Sequence, residues 1–407
     1  MKKILISTLL TILFSANLFA QKEKYPSKEE DEYYKYLDRN YVQFKPFEKS
    51  VIENFKSENH EIHSLNNYTP YNDTLYLTPY QKERFEKEFE IFNKRDSVEE
   101  RFNKFLSEIE YIGKIDRTQI LKYEKNDSIE AFIYGSYEYD KFSWSGESPG
   151  IWIAYSEHSG SDWNYYYTGI TQEQPVFVKF YSQRPLIKEK GKLEIEACLL
   201  RQLSPFSHPL ANPSYECVKD GIYIIFDIDV IAKDSDGDGL TDIVEDKLYT
   251  DKYNKDTDGD GIPDNLDTNP RVHYPRTEKS KIYEAVLNEK IDWNEKNGTG
   301  KLLFSENTAY FVTDSTETIL IVTDNEDLMG IQPEKYRVIF MTPEEYQNNS
   351  KTYQTGLNHI DFSPLFKVNN KKDTYKMTYS YKTWGSTYLI KKTKKGWTIQ
   401  MISTWIS

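Results

Sequence analysis

Residues 234–245 read DSDGDGLTDIVE and residues 256–267 read DTDGDGIPDNLD, and these two stretches, named loop 1 and loop 2, divide the chain. Counted from Asp234 and from Asp256, each carries carboxylates at positions 1, 3, 5, 9 and 12 and a glycine at position 6. This is the spacing of a twelve-residue calcium-binding loop. Because loop 2 repeats loop 1 after 22 residues, a chance arrangement of acidic residues is a poor explanation.

The chemistry of Ca²⁺ accounts for this spacing. The ion takes about six to eight oxygen ligands, and alternate residues of a tight loop can all point inward. Glycine at position 6 permits the sharp turn, and position 7 offers its backbone carbonyl. The sequence therefore predicts Ca²⁺ as the cofactor, held by Asp234, Asp236, Asp238, Leu240, Asp242, Glu245, Asp256, Asp258, Asp260, Ile262, Asp264 and Asp267.

The alternative for this segment is a disordered acidic linker that binds no ion specifically. The two loops contain ten carboxylates. Like charges at short range repel strongly unless a cation compensates them. We therefore expect folding of the segment to depend on metal, with calcium in a structural role.

At these residues the chain resembles the thrombospondin type 3 repeat and the related bacterial segments that link the domains of exported proteins. The resemblance covers about residues 234–270. It implies that calcium organises an acidic segment that has no apolar core, with the loop carboxylates as ligands. Asp251 and Asn254, in the connector between the loops, are further candidates. Lys252 stands where the family usually has a proline, so the geometry of the connector is open.

The first 20 residues have the layout of a secretory signal peptide. Lys2 and Lys3 precede a mainly apolar run at 4–14, and the segment ends at Ala20. This run is too short to span a bilayer comfortably, and we expect no transmembrane segment. The predicted location is secreted or periplasmic, with attachment to the cell surface left open.

The charge of the chain bears on its partners. Removal of residues 1–20 deletes two lysines and no acidic residue, which moves the formal charge from −13 to −15. An acidic excess of this size disfavours nucleic acid and anionic membranes and suits cation binding. In an oxidising compartment the two cysteines, Cys198 and Cys217, can form a disulfide bond, although two buried thiols are the alternative.

The pattern of residues along the chain indicates several domains with different secondary structure. A capping box at 78–81 and helical spacing of apolar residues up to 112 predict two helices. Short runs rich in Tyr, Ile, Val and Phe then predict strands at 130–137, 150–155, 176–180, 193–200 and 221–230. The predicted organisation is a signal peptide (1–20), a charged, mainly helical region (21–115), a β-rich antiparallel sandwich-like domain (116–232), tandem calcium-binding repeats (233–270) and an α+β C-terminal domain (277–407).

The familiar catalytic motifs are absent from the sequence, so we expect a binding or structural protein rather than an enzyme. Calcium would rigidify the segment between two domains. A module that binds a glycan or a peptide is an alternative, because residues 163–167 read WNYYY and aromatic platforms suit sugars. A hydrolase with an unrecognised site is the other alternative, motivated by Glu157, His158, Ser159 and Asp162 in one polar stretch.

Overall fold

The computed structural model of the chain describes residues 44–66, 111–136, 150–171, 174–179, 182, 184–204, 215–294, 298–304, 310–312, 316–350, 359–368, 371–381 and 384–406. The described residues form two compact units, an N-terminal unit (44–253) and a C-terminal unit (254–407). The division between Tyr253 and Asn254 places loop 1 in the N-terminal unit and loop 2 in the C-terminal unit.

The N-terminal unit is built mainly from strands. In chain order its elements are α1 (Lys49–Glu53), β1 (Glu61–Ser64), β2 (Tyr111–Ile112), β3 (Ile115–Asp116), β4 (Ile120–Asn126), β5 (Ile129–Ser136), β6 (Gly150–Ser156), β7 (Asn164–Thr171), β8 (Val176–Val178), β9 (Ile187–Glu189), β10 (Lys192–Gln202), β11 (Tyr215–Asp227), α2 (Ile228–Ile231) and α3 (Asp242–Leu248). One sheet has the order β1-β11-β10-β8 with β9 beside β10, and another has the order β4-β5-β6-β7. All of these pairings are antiparallel.

Apolar and β-branched residues of these strands form the interior of the N-terminal unit. Ile195 on β10 lies opposite Ile224 on β11, and both are almost completely buried. On the other sheet Ile133 of β5 lies opposite Ile153 of β6, and both are fully buried. Branched side chains pack well on a pleated surface, which explains why these runs form strands.

The C-terminal unit combines one large sheet with three helices. In chain order its elements are α4 (Glu278–Leu287), β12 (Ile291–Asn294), β13 (Thr299–Leu302), β14 (Glu317–Val322), α5 (Glu326–Met329), β15 (Tyr336–Met341), α6 (Pro343–Ser350), β16 (Ile360–Phe362), β17 (Phe366–Lys367), β18 (Thr374–Tyr381), β19 (Trp384–Thr393) and β20 (Gly396–Ile406). The sheet has the order β12-β13-β20-β19-β18-β16-β14-β15, with β17 beside β18. Strand β14 is parallel to both β15 and β16, and the remaining pairings are antiparallel.

Helix α4 packs against this sheet. Thr277 caps its N-terminus in a reciprocal capping box with Ser280, which satisfies two backbone N–H groups. Ile282 and Tyr283 are fully buried and belong to the same apolar cluster as Val338 on β15. The cluster gives the C-terminal unit a core of its own.

The β-rich character predicted from the sequence is confirmed. The strand predicted at 150–155 corresponds to β6 and the one at 193–200 to β10. The run predicted at 221–230 is a strand only as far as Asp227, because Asp227 accepts a hydrogen bond from Asp229 N–H and begins the short helix α2. Strand β7 covers most of the aromatic stretch at 163–167, where no strand was predicted.

The structure does not show a helical N-terminal region. The helices predicted at 78–112 lie almost entirely outside the described residues. The described part of 21–115 includes α1 but also β1, which pairs with β11 so that Ile62 lies opposite Ile224. A four-residue strand is fixed by a partner far away in sequence, and its own pattern is too short to reveal it. No helix in the part of the chain that the structure describes is long and apolar enough to cross a membrane.

Candidate metal centres

The position 1 carboxylate of each loop is held by backbone N–H groups. In loop 1 the two oxygens of Asp234 accept hydrogen bonds from Gly237 (2.6 Å) and Gly239 (3.0 Å). In loop 2 Asp256 accepts the equivalent bonds from the glycines at positions 4 and 6, at 2.8 Å and 2.9 Å. All four glycines have φ between +74° and +104°, a conformation that a Cβ atom disfavours. The turn therefore requires glycine at both positions.

Positions 3 and 5 repeat in the same way. Asp236 Oδ1 accepts a hydrogen bond from Asp238 N–H at 3.0 Å, and Asp238 Oδ1 accepts one from Leu240 N–H at 2.7 Å. The corresponding bonds in loop 2 are 3.1 Å and 2.8 Å long. These local bonds tighten the loop and bring the acidic side chains to one side. Ligand atoms of Asp234, Asp236 and Asp238 all lie within 4.8 Å of one another.

The position 9 carboxylates, which the spacing predicts as ligands, accept hydrogen bonds from position 2 of their own loop. In loop 1 both oxygens of Asp242 accept hydrogen bonds from Ser235, one from its N–H and one from its hydroxyl, each 2.8 Å long. In loop 2 Asp264 accepts the same pair from Thr257, at 2.9 Å and 2.6 Å. Position 9 thus closes the loop against position 2. An ion would meet these carboxylates through a water molecule, as is common at this position of calcium loops.

Positions 7 and 12 connect the loops to packed regions. Leu240 is buried, which agrees with a side chain that packs while its carbonyl remains available. Glu245 lies in the first turn of α3 and is completely buried, and its counterpart Asp267 is 4% exposed. Ile262, at position 7 of loop 2, lines a cavity together with Asp267.

Hydrogen bonds to backbone carbonyl oxygens join the end of loop 2 to strand β15 of the C-terminal unit. Arg337 on β15 is buried, and its guanidinium donates to the carbonyl oxygens of Asp264 (3.3 Å), Asn265 (2.8 Å) and Asp267 (3.3 Å). Val338 N–H donates to the Thr268 carbonyl at 2.8 Å. The end of loop 2 is therefore positioned by the sheet independently of any ion.

The cavity beside loop 2 has a volume of about 40 Å³. Asp258, Asp260 and Asp267 line it from the loop, and Asn269, His273 and Gln332 line it from outside the loop. Burial raises the pKa of Asp267 to about 7, and the charges of Asp260 and Asp258 contribute to the same shift. Burial also raises the pKa of Asp258. Both shifts report carboxylates placed where their negative charge is costly without a cation.

The donor atoms of both loops fit calcium. They are carboxylate and carbonyl oxygens, which are the ligands that this hard cation prefers. Asp236 Oδ2 in loop 1 and Asp267 Oδ2 in loop 2 are buried, and neither has a hydrogen-bond partner among the described residues. Each loop therefore holds at least one buried acceptor for which a cation is the natural counterpart. His273, whose Nδ1 lies 3.9 Å from Asp260 Oδ2, contributes a nitrogen that suits calcium less well.

The two cysteines lie close together and are not joined by a disulfide bond in the structure. Cys198 on β10 is buried and Cys217 on β11 is exposed, and their sulfurs and an Asp220 carboxylate oxygen lie within 4.8 Å of one another. A hydrogen bond with Cys217 raises the pKa of the Cys198 thiol, and burial adds to the shift. The disulfide between them stays a prediction, and their proximity is compatible with it.

The aromatic residues that suggested a glycan platform pack within the N-terminal unit. The rings of Trp163 and Phe132 lie 4.9 Å apart, and Tyr165 meets Tyr134 edge-to-face. Tyr167 is almost completely buried. Trp163 and Tyr165 are partly buried and pack against a small apolar cluster, and the glycan alternative stays a prediction.

The polar loop after β6 is a hydrogen-bond network. Asp162 accepts a hydrogen bond from the Ser156 hydroxyl at 2.9 Å and lies 2.6 Å from His158 Nδ1. Ser159, the serine of the predicted group, is exposed and has φ of 52°, and its backbone N–H donates to the Ser128 carbonyl at 2.7 Å. Glu157 forms an ion pair with Lys190 at 2.8 Å. These contacts stabilise the turn, and the hydrolase alternative stays a prediction.

Comparisons of the chain with protein-family models, with curated proteins and with solved structures found no match. The thrombospondin type 3 resemblance therefore stays an expectation that rests on the spacing of the two loops.

Proposed function

We propose that this protein is an exported calcium-binding protein in which Ca²⁺ rigidifies the segment between a β-rich, sandwich-like domain and an α+β C-terminal domain. Its role is structural or binding rather than catalytic. The observation that carries the proposal is the repetition of loop geometry. Equivalent hydrogen bonds recur in loops 1 and 2 at positions 22 residues apart, although the loops belong to different compact units.

Repetition in two different surroundings argues for a local cause. Loop 1 leads into α3, whereas loop 2 is joined to β15 by Arg337 and Val338. If neighbouring residues alone dictated the loop shape, two dissimilar settings would favour two shapes. A ligand common to loops 1 and 2 would explain why both have the same turn and the same carboxylate spacing.

Calcium would contribute stability to each unit by binding the folded loop and not the unfolded chain. A ligand present at a hundredfold excess over its dissociation constant stabilises a protein by about 2.7 kcal/mol per site. Each ion would also offset repulsion among five carboxylates of its loop. The connector between the loops would then be shortened and stiffened from both ends.

The proposal is tested by calorimetric titration of the chain lacking residues 1–20 with Ca²⁺. We expect two saturable sites in this protein and none in a variant with Asp236→Ala and Asp258→Ala. The matched control, Glu189→Ala with Asp292→Ala, removes the same charge at exposed positions outside the loops and should keep both sites. Absence of calcium binding by the unsubstituted protein would refute the proposed function.

A further inference from the structure

The cavity beside loop 2 is lined by three buried oxygen acceptors, one from the loop and two from outside it. Asp267 Oδ2, Asn269 Oδ1 and Gln332 Oε1 are shielded from solvent, and none has a hydrogen-bond donor within the described ranges. All three residues line the same cavity. A buried acceptor left without a donor costs about 1–3 kcal/mol. Three of them around one cavity require a common explanation.

The orientation of the Asn269 amide is determined by its donors. Its Nδ2 donates to the carbonyl oxygens of Val272 (3.0 Å) and Met329 (3.1 Å). If the amide were flipped, its oxygen would face two other oxygens, which would be repulsive. Asn269 Oδ1 is therefore held on the opposite side from these carbonyls.

Gln332 is positioned by contacts that do not involve its side-chain oxygen. Its backbone N–H donates to Glu284 Oε1 at 2.9 Å. Glu284 is buried on α4 and pairs with Arg276 at 2.6 Å. The backbone of Gln332 is thus fixed to the core of the C-terminal unit, 65 residues beyond Asp267 in sequence.

Asp267 supplies the observation that points to a cation. Asp267 is 96% buried. Its Oδ1 accepts a hydrogen bond from Asn269 N–H at 2.7 Å, whereas its buried Oδ2 has no donor among the described residues. Asp267 lines the cavity. Asp258 and Asp260 line the same cavity. Water could occupy 40 Å³ and donate to neutral acceptors, but it would not offset the negative charges of Asp258, Asp260 and Asp267, which line the same cavity.

We propose that Asn269 Oδ1 and Gln332 Oε1 are ligands of the calcium ion in loop 2, so that this ion joins the loop to the segment between α5 and β15. Amide oxygens are ordinary calcium ligands, and neutral ones add coordination without adding repulsion. The ion of loop 2 would thereby bind to the folded core of the C-terminal unit as well as to the loop. This inference rests on the proposed calcium-binding function and goes beyond it by naming ligands outside the repeat.

The test uses the chain lacking residues 1–20 with Asp236→Ala, which leaves loop 2 as the calcium site. In this background we expect Gln332→Met to weaken calcium binding roughly tenfold, the scale seen when supporting residues of metal sites are removed. Gln332→Glu, which retains an oxygen and adds charge, should bind at least as tightly as the parent. Gln400→Met, at an exposed position of β20, is the matched control and should leave binding unchanged.

A second measurement separates a ligand from a structural residue. Without calcium, Gln332→Met removes a buried acceptor that lacks a donor, so the melting temperature should rise or stay the same. If Gln332 had a merely structural role, Gln332→Met would lower both the metal-free melting temperature and the calcium affinity. That outcome, or an unchanged affinity in Gln332→Met, would overturn the inference while calcium binding itself remained. If the parent bound no calcium in loop 2, the proposed function and this inference would both fall.

Discussion

Arg337 is the single side chain that does most to position loop 2. It is 3% exposed and donates to three carbonyl oxygens at the end of the loop. A guanidinium presents five donors in a fixed plane, so one residue can satisfy several carbonyls at once. A lysine at this position would keep the charge and lose this geometry.

We expect Arg337→Lys to lower the free energy of unfolding by about 1–3 kcal/mol, because buried carbonyl oxygens would lose their donors. Urea denaturation in the presence of a calcium chelator measures this effect without a contribution from the ion. The exposed Arg117→Lys is the control and should change stability little. Equal stabilities of the Arg337→Lys and Arg117→Lys variants would contradict the positioning role.

His60 makes stability depend on pH through its burial. Burial lowers its pKa from 6.5, although its Nε2 hydrogen bond to the Thr168 carbonyl opposes the shift. The unfolded chain therefore binds a proton near pH 6.5 while the folded protein keeps the imidazole neutral. The contribution of His60 to stability is present above that pH and is lost as the pH falls toward the lowered folded value.

In urea denaturation at pH 7.5 and pH 5.0, we expect the unsubstituted protein to lose on the order of 1 kcal/mol more stability than a His60→Gln variant. His63→Gln, which alters an exposed histidine three residues away, is the comparison variant. A His60→Gln variant with the full acid sensitivity of the parent would show that the titrating group lies elsewhere.

At the scale of elements, the hydroxyl at position 2 closes both loop 1 and loop 2. Ser235 and Thr257 each donate to the position 9 carboxylate of their own loop through N–H and hydroxyl groups. These hydrogen bonds join positions 2 and 9 of each loop, and positions 1, 3, 5 and 12 would remain for the proposed ion. Position 2 would then stabilise the loop without being a ligand.

Ser235→Ala and Thr257→Val should each lower the free energy of unfolding by about 1 kcal/mol, the usual value of one hydrogen bond. Calorimetric titration should still find two calcium sites in both variants, with modestly weaker binding in the altered loop. Complete loss of a site would mean that the hydroxyl coordinates the ion, and the role assigned to position 9 would then have to be revised.

The contrast between loop 2 and its surroundings shows what the sequence can predict. The spacing of Asp256, Asp258 and Asp260 is a local property, and twelve residues are enough to reveal it. Asn269 and Gln332 escape such a search because the first follows the repeat and the second reaches the cavity only through tertiary folding. Strands β6 and β10 were predicted for the same local reason, since their apolar runs are long. The short strand β1 depends on pairing with β11 and was missed.

At the scale of the whole molecule, we expect calcium to have its largest effect on the local opening of the connector between the loops. Tyr249 ends α3 in a left-handed conformation with φ of 59°, and Tyr253 is 72% exposed. Lys252 pairs with Asp246 at 2.9 Å. If both loops bind calcium as proposed, the short exposed stretch between them is expected to unfold locally when calcium is removed.

We expect trypsin to cleave after Lys252 or Lys255 in the presence of a calcium chelator and much more slowly with calcium. At a hundredfold excess over the dissociation constant, binding suppresses the open form by up to about a hundredfold. Mass spectrometry of the fragments identifies the site. The Asp236→Ala, Asp258→Ala variant should be cleaved rapidly in both conditions, and equal protection of that variant by calcium would argue against ion-dependent closure.

The phenol rings at the edge of the loop 2 cavity give this site an optical signature. Tyr274 and Tyr310 both line the cavity that holds Asp258, Asp260 and Asp267. A terbium ion, which resembles calcium in size and in its preference for oxygen, emits green light when a nearby excited tyrosine transfers energy to it. Luminescence from a bound lanthanide would therefore report the occupancy of loop 2 directly, and replacing either tyrosine with phenylalanine would dim it without removing a ligand.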